Sequence, residues 1–422
     1  MPFWSIVADD LTGALDTALQ FQKRRWPCVV STRPGIWPTL TRDTGAMALT
    51  TETRHLDAIA AEAQTQAAIR YVWTDKDDEN RRLYKKTDSL LRGNIAAEIK
   101  AMLDVVGKRT IVFSPAYPDG RRTTINGVHR IDGQPVTETF AGIDPVTPVR
   151  ESHIPTLLTA NTSLTVRHIP LRIVRDHNDV LTAEFIAAQQ AHIDVIVPDA
   201  ASNKDLQSIS RSMNKASMTQ ICAGAAGLAQ HLGDTNNASE SRPTFQRAKH
   251  VAAIVGTPSH HTRDQVTQAV RKMDAQLIPT EENIGLASAM KSARKAWRNR
   301  RPVIFDAVLP AARARNKLDN HLDFIQNLAV TLKSEKDDLN FILTGGDTAQ
   351  AAFHGLGIEA LEIVDEIDWG VPVGRARGNL KPGAGIVTKG GTMGDSTSLV
   401  KAFQRLGYYR LVEPRIGATY GA

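Results

Sequence analysis

Two α/β domains are predicted by three features of the chain. Short apolar strands alternate with amphipathic helices, glycine-rich loops follow several strands, and one polar segment near residue 240 interrupts the alternation. At 422 residues the chain is longer than a single core ordinarily organises. The interrupting run, Gly233-Asp-Thr-Asn-Asn-Ala-Ser-Glu-Ser-Arg-Pro243, has almost no apolar residue to bury and reads as a linker. The expected division is a first domain over 1–235, a linker over 236–248 and a second domain over 249–422.

The elements follow in order. Residues 5–8 form a first strand, and 13–22 form an amphipathic helix behind it. Further strands are expected at 29–31 and 47–50, then an alanine-rich helix over 57–71, since alanine costs least in a helix. After a strand at 83–86, residues 93–106 place Ile95, Ile99, Met102 and Leu103 on one helical face, and 110–113 return to strand. The stretch 114–156 is rich in Pro, Gly and Thr and reads as a long loop excursion, a feature more often functional than idle. Alternation resumes over 164–232, with a strand at 194–198 that ends on Asp199 and a small-residue helix expected within 221–232. In the second domain strands are expected at 251–255, 303–305, 341–343 and 386–388.

Composition narrows the function. A hydrophobic fraction of 42% and a charged fraction of 23% are ordinary for a globular protein, and no apolar run is long enough to cross a membrane. The start of the chain lacks the basic region and cleavage site of a secretion signal, and Cys28 and Cys222 are too few for a disulfide framework. Both cysteines read as buried free thiols, and a cytoplasmic location is expected. The net charge of +6 is dispersed, and aromatics, at 5%, do not interleave with the basic clusters, so a nucleic-acid partner is not expected.

Chemistry concentrates at strand ends. The stretch Lys381-Pro-Gly-Ala-Gly-Ile-Val-Thr-Lys-Gly-Gly-Thr-Met-Gly-Asp395 holds five glycines and two lysines. Glycines let successive amides converge on an anion, and Lys389 adds a point charge, so Lys389, Gly391 and Gly394 are candidate phosphate-binding positions. Gly345-Gly-Asp-Thr348 is a second such loop, and Val255-Gly-Thr-Pro-Ser259 a weaker third. There is no Walker A pattern and no dinucleotide fingerprint. His260 and His261 read as the solvated start of a helix. At the other end of the chain, Asp9 and Asp10 follow the first strand, where ligands bind in open α/β sheets. Such a pair holds hydroxyls, coordinates Mg²⁺ or accepts a proton, with helix capping as the plain alternative. Lys86-Thr-Asp-Ser-Leu-Leu-Arg-Gly-Asn94 brings Lys86, Asp88, Ser89 and Arg92 to the same sheet edge, and Arg54 is a further candidate there.

These residues resemble the motifs of the four-carbon acid sugar kinase family. The resemblance is carried by Ala8-Asp-Asp-Leu-Thr-Gly-Ala14, the Lys86–Asn94 run, Arg122-Thr-Thr-Ile-Asn-Gly127, Asp144-Pro-Val-Thr-Pro-Val-Arg-Glu-Ser152, Asp199-Ala200, Gly224-Ala-Ala-Gly-Leu228 and the C-terminal glycine loops. It implies an acid-sugar-binding N-terminal domain and an ATP-binding C-terminal domain that face each other across a cleft. It further implies transfer of phosphate to the terminal hydroxyl of threonate, erythronate or a 3-oxo-tetronate, with ATP and Mg²⁺ as cofactors. A branched acid such as 3-oxo-isoapionate is the alternative substrate. Asp10, Arg54, Lys86, Asp88, Ser89 and Arg92 would contact the sugar, and Ser259, Gly345, Gly346, Asp347, Thr348 and Gly391 the nucleotide. Asp10 is favoured over Asp88 as the base, the metal ligands stay open, and a homodimer is the expected assembly. Three departures bear on substrate subgroup and ATP geometry: Gly256-Thr-Pro-Ser259 for Gly-Ser-Cys-Ser, Asp347 for a glutamate and Met393 for an aromatic. A non-catalytic binding protein and a sugar-acid dehydrogenase are the rival classes.

Overall fold

The computed structural model describes residues 3–32, 45–74, 80–107, 109–144, 146–176, 179–233, 244–280, 285–308, 311–335, 339–380 and 383–408, without the side chains of 311–319. Most of the expected linker, and Lys381, lie outside the described residues. The chain divides into two units, residues 1–240 and 241–422.

The first unit contains β1 (Phe3–Ala8), β2 (Cys28–Ser31), β3 (Ala46–Thr50), β4 (Arg81–Lys86), β5 (Ile111–Ser114), β6 (Arg122–Ile125), β7 (Val128–Ile131), β8 (Gln134–Pro135), β9 (Val166–Ile169), β10 (Val195–Pro198) and β11 (Ile221–Gly224). Eight of these form a sheet in the order β2-β3-β1-β4-β11-β5-β10-β9, and each pairing is parallel. A parallel sheet is covered on both faces, which is why its strands are apolar throughout rather than alternating. Most of their residues are buried, Trp4, Ile6, Phe113, Val195, Ile196 and Val197 among them. Register sets the functional edge: Ala8 lies beside both Thr50 and Lys86, and Lys86 beside Gly224. The chain therefore leaves β1, β3 and β4 at one level, and Asp9, Thr51 and Thr87 begin three adjacent loops.

The second unit contains β12 (His250–Val255), β13 (Gln276–Pro279), β14 (Val303–Asp306), β15 (Leu339–Thr344), β16 (Ile358–Asp368), β17 (Val371–Gly378) and β18 (Gly385–Lys389). Strands β13-β14-β12-β15-β18 run parallel, and β17 and β16 continue the sheet antiparallel. Val251, Val255, Ile304, Ile342, Val387 and Phe403 anchor its apolar core. Val255 is in register with Thr344, and Thr344 with Lys389, so the three glycine loops leave adjacent strand ends.

The structure adds to or sharpens the expected elements in three places. The excursion over 114–156 is not merely loop: β6, β7 and β8 form an antiparallel meander within it. Its tight turn is Asn126-Gly127, both at positive φ, the pairing that a two-residue hairpin favours. Residues 221–224 are strand, and the helix that follows is only Ala226–Ala229, because small residues at this position fill a crowded strand end. The hairpin β16–β17 has no counterpart among the expected elements. Register shifts at Ile358/Ala360 and Ile363/Asp365 break its two-residue alternation, which hides the strand signal.

The meander is tied to the parallel sheet by Asp199, which is fully buried at the end of β10. Its Oδ2 accepts from the amides of Asn126 (2.7 Å) and Leu171 (3.1 Å), and its Oδ1 from Gly127 N (2.9 Å) and His168 Nε2 (2.9 Å). Replacement by alanine would strand several donors at once. Asp199→Ala is expected to destabilise the first unit by about 3 kcal/mol. In a thermal melt that is a fall of roughly 6–12 °C.

Candidate active site

One guanidinium organises the edge of the first unit. Arg54, in the loop after β3, donates from Nε to Asp9 Oδ2 (2.9 Å) and from Nη1 to Asp10 Oδ2 (2.8 Å). Its Nη2 lies 2.7 Å from Asp10 Oδ1, 2.8 Å from Asp9 Oδ2 and 3.7 Å from Asp88 Oδ1. The loops after β1, β3 and β4 thus meet on a single buried cation. Asp88 is held from its other side by Arg92, whose Nε donates at 2.7 Å, and Arg92 Nη1 reaches Asp144 Oδ2 at 3.5 Å. Asp10 also caps the helix Leu11–Lys23, accepting from Gly13 N at 2.8 Å. Capping and ion pairing therefore coexist in one carboxylate. Lys86 Nζ donates to Thr87 O (2.6 Å) and sits so close to Gly13 that a Cβ there would lie 2.8 Å from it.

The three acids differ in basicity. Burial raises Asp10, and the pull of Arg54 is offset by the neighbouring charge of Asp9. Burial also works on Asp9, but Arg54, Lys86 and Lys85 outweigh it and leave that group lowered. Burial pushes Asp88 up as well, yet Arg92 and Arg54 hold it well below the usual carboxylate range. Asp10 is also the most accessible, with 17% of its side chain exposed against 3% for Asp9 and 9% for Asp88. A proton acceptor needs basicity and access, and Asp10 has more of both. Asp9 Oδ1 and Thr87 Oγ1 are buried without hydrogen-bond partners, and a sugar hydroxyl could satisfy either.

A second layer supports these loops. Strand alternation sends Lys85 and Lys86 to opposite faces, and Lys85 Nζ pairs with Glu98 Oε2 at 2.7 Å, both fully buried. Glu98 also accepts from Thr53 Oγ1, next to Arg54. His129, on β7, bonds Ser89 O through Nε2 (2.9 Å) and Thr124 Oγ1 through Nδ1 (3.1 Å). A carbonyl only accepts, so Nε2 carries the proton and Nδ1 accepts from Thr124. Burial keeps the ring neutral, with its pKa down at about 4. Glu52, Leu91 and Arg121 adopt positive φ close in sequence to Arg54, Arg92 and Arg122, strain of the sort that clusters where side chains must be aimed.

In the second unit the three glycine loops pack on one another. Gly256 N donates to Thr344 O (3.1 Å) and Gly345 N to Lys389 O (2.9 Å). A Cβ on Gly256 would collide with Thr348 Oγ1, and one on Gly391 with Thr257 Oγ1, so only glycine permits this approach. Helices His260–Met273 and Gly346–Leu356 begin here, at Ser259 and Gly345, and no side chain caps either. Their first-turn amides and dipoles favour an anion such as phosphate. Asp347 is exposed and Thr348 buried within the first turn of the second helix. Lys389 Nζ donates to Thr262 Oγ1 (3.0 Å) and Gly390 O (2.9 Å). Gly394 does not match its expected role: its N–H donates to Trp369 O and its carbonyl accepts from His261 Nε2. It is a positive-φ turn packed on Ser398, with no amide left to offer a ligand.

Asp9, Asp10, Arg54, Lys86, Asp88, Ser89 and Arg92 thus share one edge, and Ser259, Gly345, Gly346, Thr348, Lys389 and Gly391 another. Sequence reasoning missed Asp144, His129 and Arg122 as neighbours of the first group, although all three fall in segments singled out for their composition. A depression of about 990 Å³ lies at the opposite edge of the first sheet, lined by Lys100, Arg109, His192 and Asp194 among others, away from this chemistry. Cys28 and Cys222 are buried free thiols, pushed up by burial. Among the described residues no helix is long and apolar enough to cross a membrane.

The chain thus carries a carboxylate-rich polar edge on one α/β unit and an edge of glycine loops and uncapped helix starts on the other. Residues 4–232 match the model of a sugar-binding N-terminal domain, and residues 252–399 that of a nucleotide-binding C-terminal domain. The chain belongs to the four-carbon acid sugar kinase family and is a phosphotransferase. It is 31% identical over 417 residues to a D-threonate kinase of Bordetella bronchiseptica, covering 96% of this chain and 98% of that one. It is 25% identical to a D-erythronate kinase of Heliobacterium modesticaldum, covering 93% and 94%. A Salmonella typhimurium protein of known crystal structure shares the fold, with a TM-score of 0.77 at 23% identity over 95% of this chain and 99% of the other.

Lys389 supplies a physical test within the second unit. Burial holds its ammonium down at about 7, against 10.5 when exposed. Between those values the unfolded chain binds the extra proton, so the lysine's destabilising effect is greatest below pH 7 and fades toward pH 10.5. Denaturant titrations are expected to show Lys389→Met gaining most, relative to wild type, below pH 7, and losing that gain as the pH rises. A pH-independent difference between the two proteins would contradict the buried ammonium.

Proposed function

We propose that this kinase transfers the γ-phosphoryl group of ATP to the terminal hydroxyl of a four-carbon acid sugar of the threonate, erythronate or 3-oxo-tetronate type. The observation that carries the reading is the meeting of Asp9, Asp10 and Asp88 on Arg54, which leaves one comparatively basic and accessible carboxylate in a rigid polar edge. The substrates named for the relatives, D-threonate and D-erythronate, are small polyols with one carboxylate, and such an edge suits their hydroxyls.

In this reading Asp10 accepts the proton of the attacking hydroxyl as a bond forms from that oxygen to the γ-phosphorus. The bond from phosphorus to the β–γ bridging oxygen breaks, and ADP leaves. Asp9, Lys86 and the Asp88–Arg92 pair position the sugar, with Ser89 beside them. Ser259, Gly346 and Thr348 receive the phosphates at the two helix starts, Gly345 and Gly391 allow the close backbone approach, and Lys389 adds positive charge. Among the described residues no three metal-ligating side chains assemble into a cage. Mg²⁺ commonly binds through substrate phosphates and water with one or two carboxylates, and it is read here as arriving on ATP.

Release of ADP should be screened against D- and L-threonate, D- and L-erythronate and the corresponding 3-oxo acids. Turnover of at least one is expected; silence with all of them would sink the four-carbon reading. Asparagine caps helices as well as aspartate does, so Asp10→Asn separates proton transfer from capping. It is expected to lower kcat by about a hundredfold or more. In wild type kcat/KM should fall as the pH drops through the raised Asp10 pKa, and the variant should lose that limb. A variant within about threefold of wild-type turnover would rule Asp10 out as the base.

A further inference from the structure

Among the guanidinium groups around the first edge, one has no carboxylate partner within the described residues. Arg54 is taken up by Asp9 and Asp10 and lies near Asp88, while Arg92 binds Asp88 and approaches Asp144. Both guanidiniums are thus already neutralised by carboxylates of this chain. Arg122 is different. It is 7% exposed, its Nη1 donates to Gly120 O, its Nε is buried with no hydrogen-bond partner, and it forms no ion pair among the described residues. A buried guanidinium left in that state is costly, and an incoming anion would relieve that cost.

Its placement gives the partner's location. Arg122 and Thr124 are two residues apart on β6 and share its buried face, while Thr123 and Ile125 take the other. His129 lies opposite Thr124 in the β6–β7 register and is bonded to it on that same face. Through Nε2, His129 touches the carbonyl of Ser89, so the face that carries Arg122 is the face turned to the Asp88–Ser89 loop. Burial lowers the Arg122 pKa, while the nearby charge of Asp88 works against that.

We propose that Arg122 is the residue that recognises the carboxylate of the acid sugar, and so sets the preference for acids over the matching neutral polyols. The inference rests on the proposed substrate class and deepens it. A planar guanidinium matches a carboxylate through two parallel hydrogen bonds, which an isolated hydroxyl cannot reproduce. Arg54 and Arg92 then serve to hold the acids in place rather than to bind the anion.

The test compares wild type, Arg122→Met and Arg122→Lys in the full chain, by calorimetric binding and by ADP release. Ligands are the threonates and erythronates and their neutral counterparts, threitol and erythritol. Arg122→Met is expected to weaken acid binding by roughly tenfold to a hundredfold, leave tetritol binding unchanged and melt no lower than wild type. Arg122→Lys should keep part of the preference for the acid. Equal binding of acids by wild type and Arg122→Met would overturn the inference while the kinase reading stood. A variant that weakened acids and tetritols alike, with a lowered melting temperature, would also overturn it, because that is the signature of a structural arginine. Acids that bound wild type but not Arg122→Met, without any ADP release, would support Arg122 and remove the kinase reading instead. Failure of every acid to bind wild type would remove both.

Discussion

The contact of Arg54 with Asp9 and Asp10 is the constraint on which the first unit's chemistry depends. The loops after β1 and β4 each bring carboxylates to the same level of the sheet and would otherwise repel one another. The loop after β3, on the other side of β1 from β4, supplies a single guanidinium that converts the repulsion into a fixed arrangement. Because the cluster is largely removed from water, loss of one partner would leave an uncompensated buried charge, typically about 3–5 kcal/mol. The same burial makes the three acids unequal, and inequality among neighbouring acids is what lets one act as a base while others hold a substrate.

The second unit solves a related problem with backbone rather than side chains. Its strand ends carry glycines where a Cβ would collide, and two helices begin there without side-chain caps. Amides and helix dipoles supply the positive potential, and Lys389 is the buried side-chain cation within the loops. Such a surface accepts a phosphate without reading much of its chemistry. Discrimination among sugars therefore belongs to the first unit.

Much of this was legible in the chain. Apolar runs ending in Asp9-Asp10, in Lys86-Thr-Asp88 and in the glycine loops named the correct strand ends, because a parallel sheet puts strand carboxyl ends on one edge regardless of tertiary detail. What the chain did not show was which charges cancel. Arg54 and Arg92 look like free anion receptors in sequence, and only the fold shows them held by Asp9, Asp10, Asp88 and Asp144. Gly394 failed for a similar reason: a glycine's freedom is visible in sequence, but the use made of its amide is not. The β6–β8 meander and the β16–β17 hairpin were hidden because turns and bulges dilute the alternation that marks a strand.

The meander is joined to the parallel sheet by a few defined links: Asp199, the Thr124–Ala200 bridge and His129. The acids and Arg54, by contrast, sit on loops fixed by the sheet itself. Two parts of one binding edge are thus structurally separable. Arg122 is carried by the meander and Arg54 by a loop of the sheet, so a change at Arg122 alters one part of the edge and leaves the Arg54–Asp9–Asp10 contacts in place.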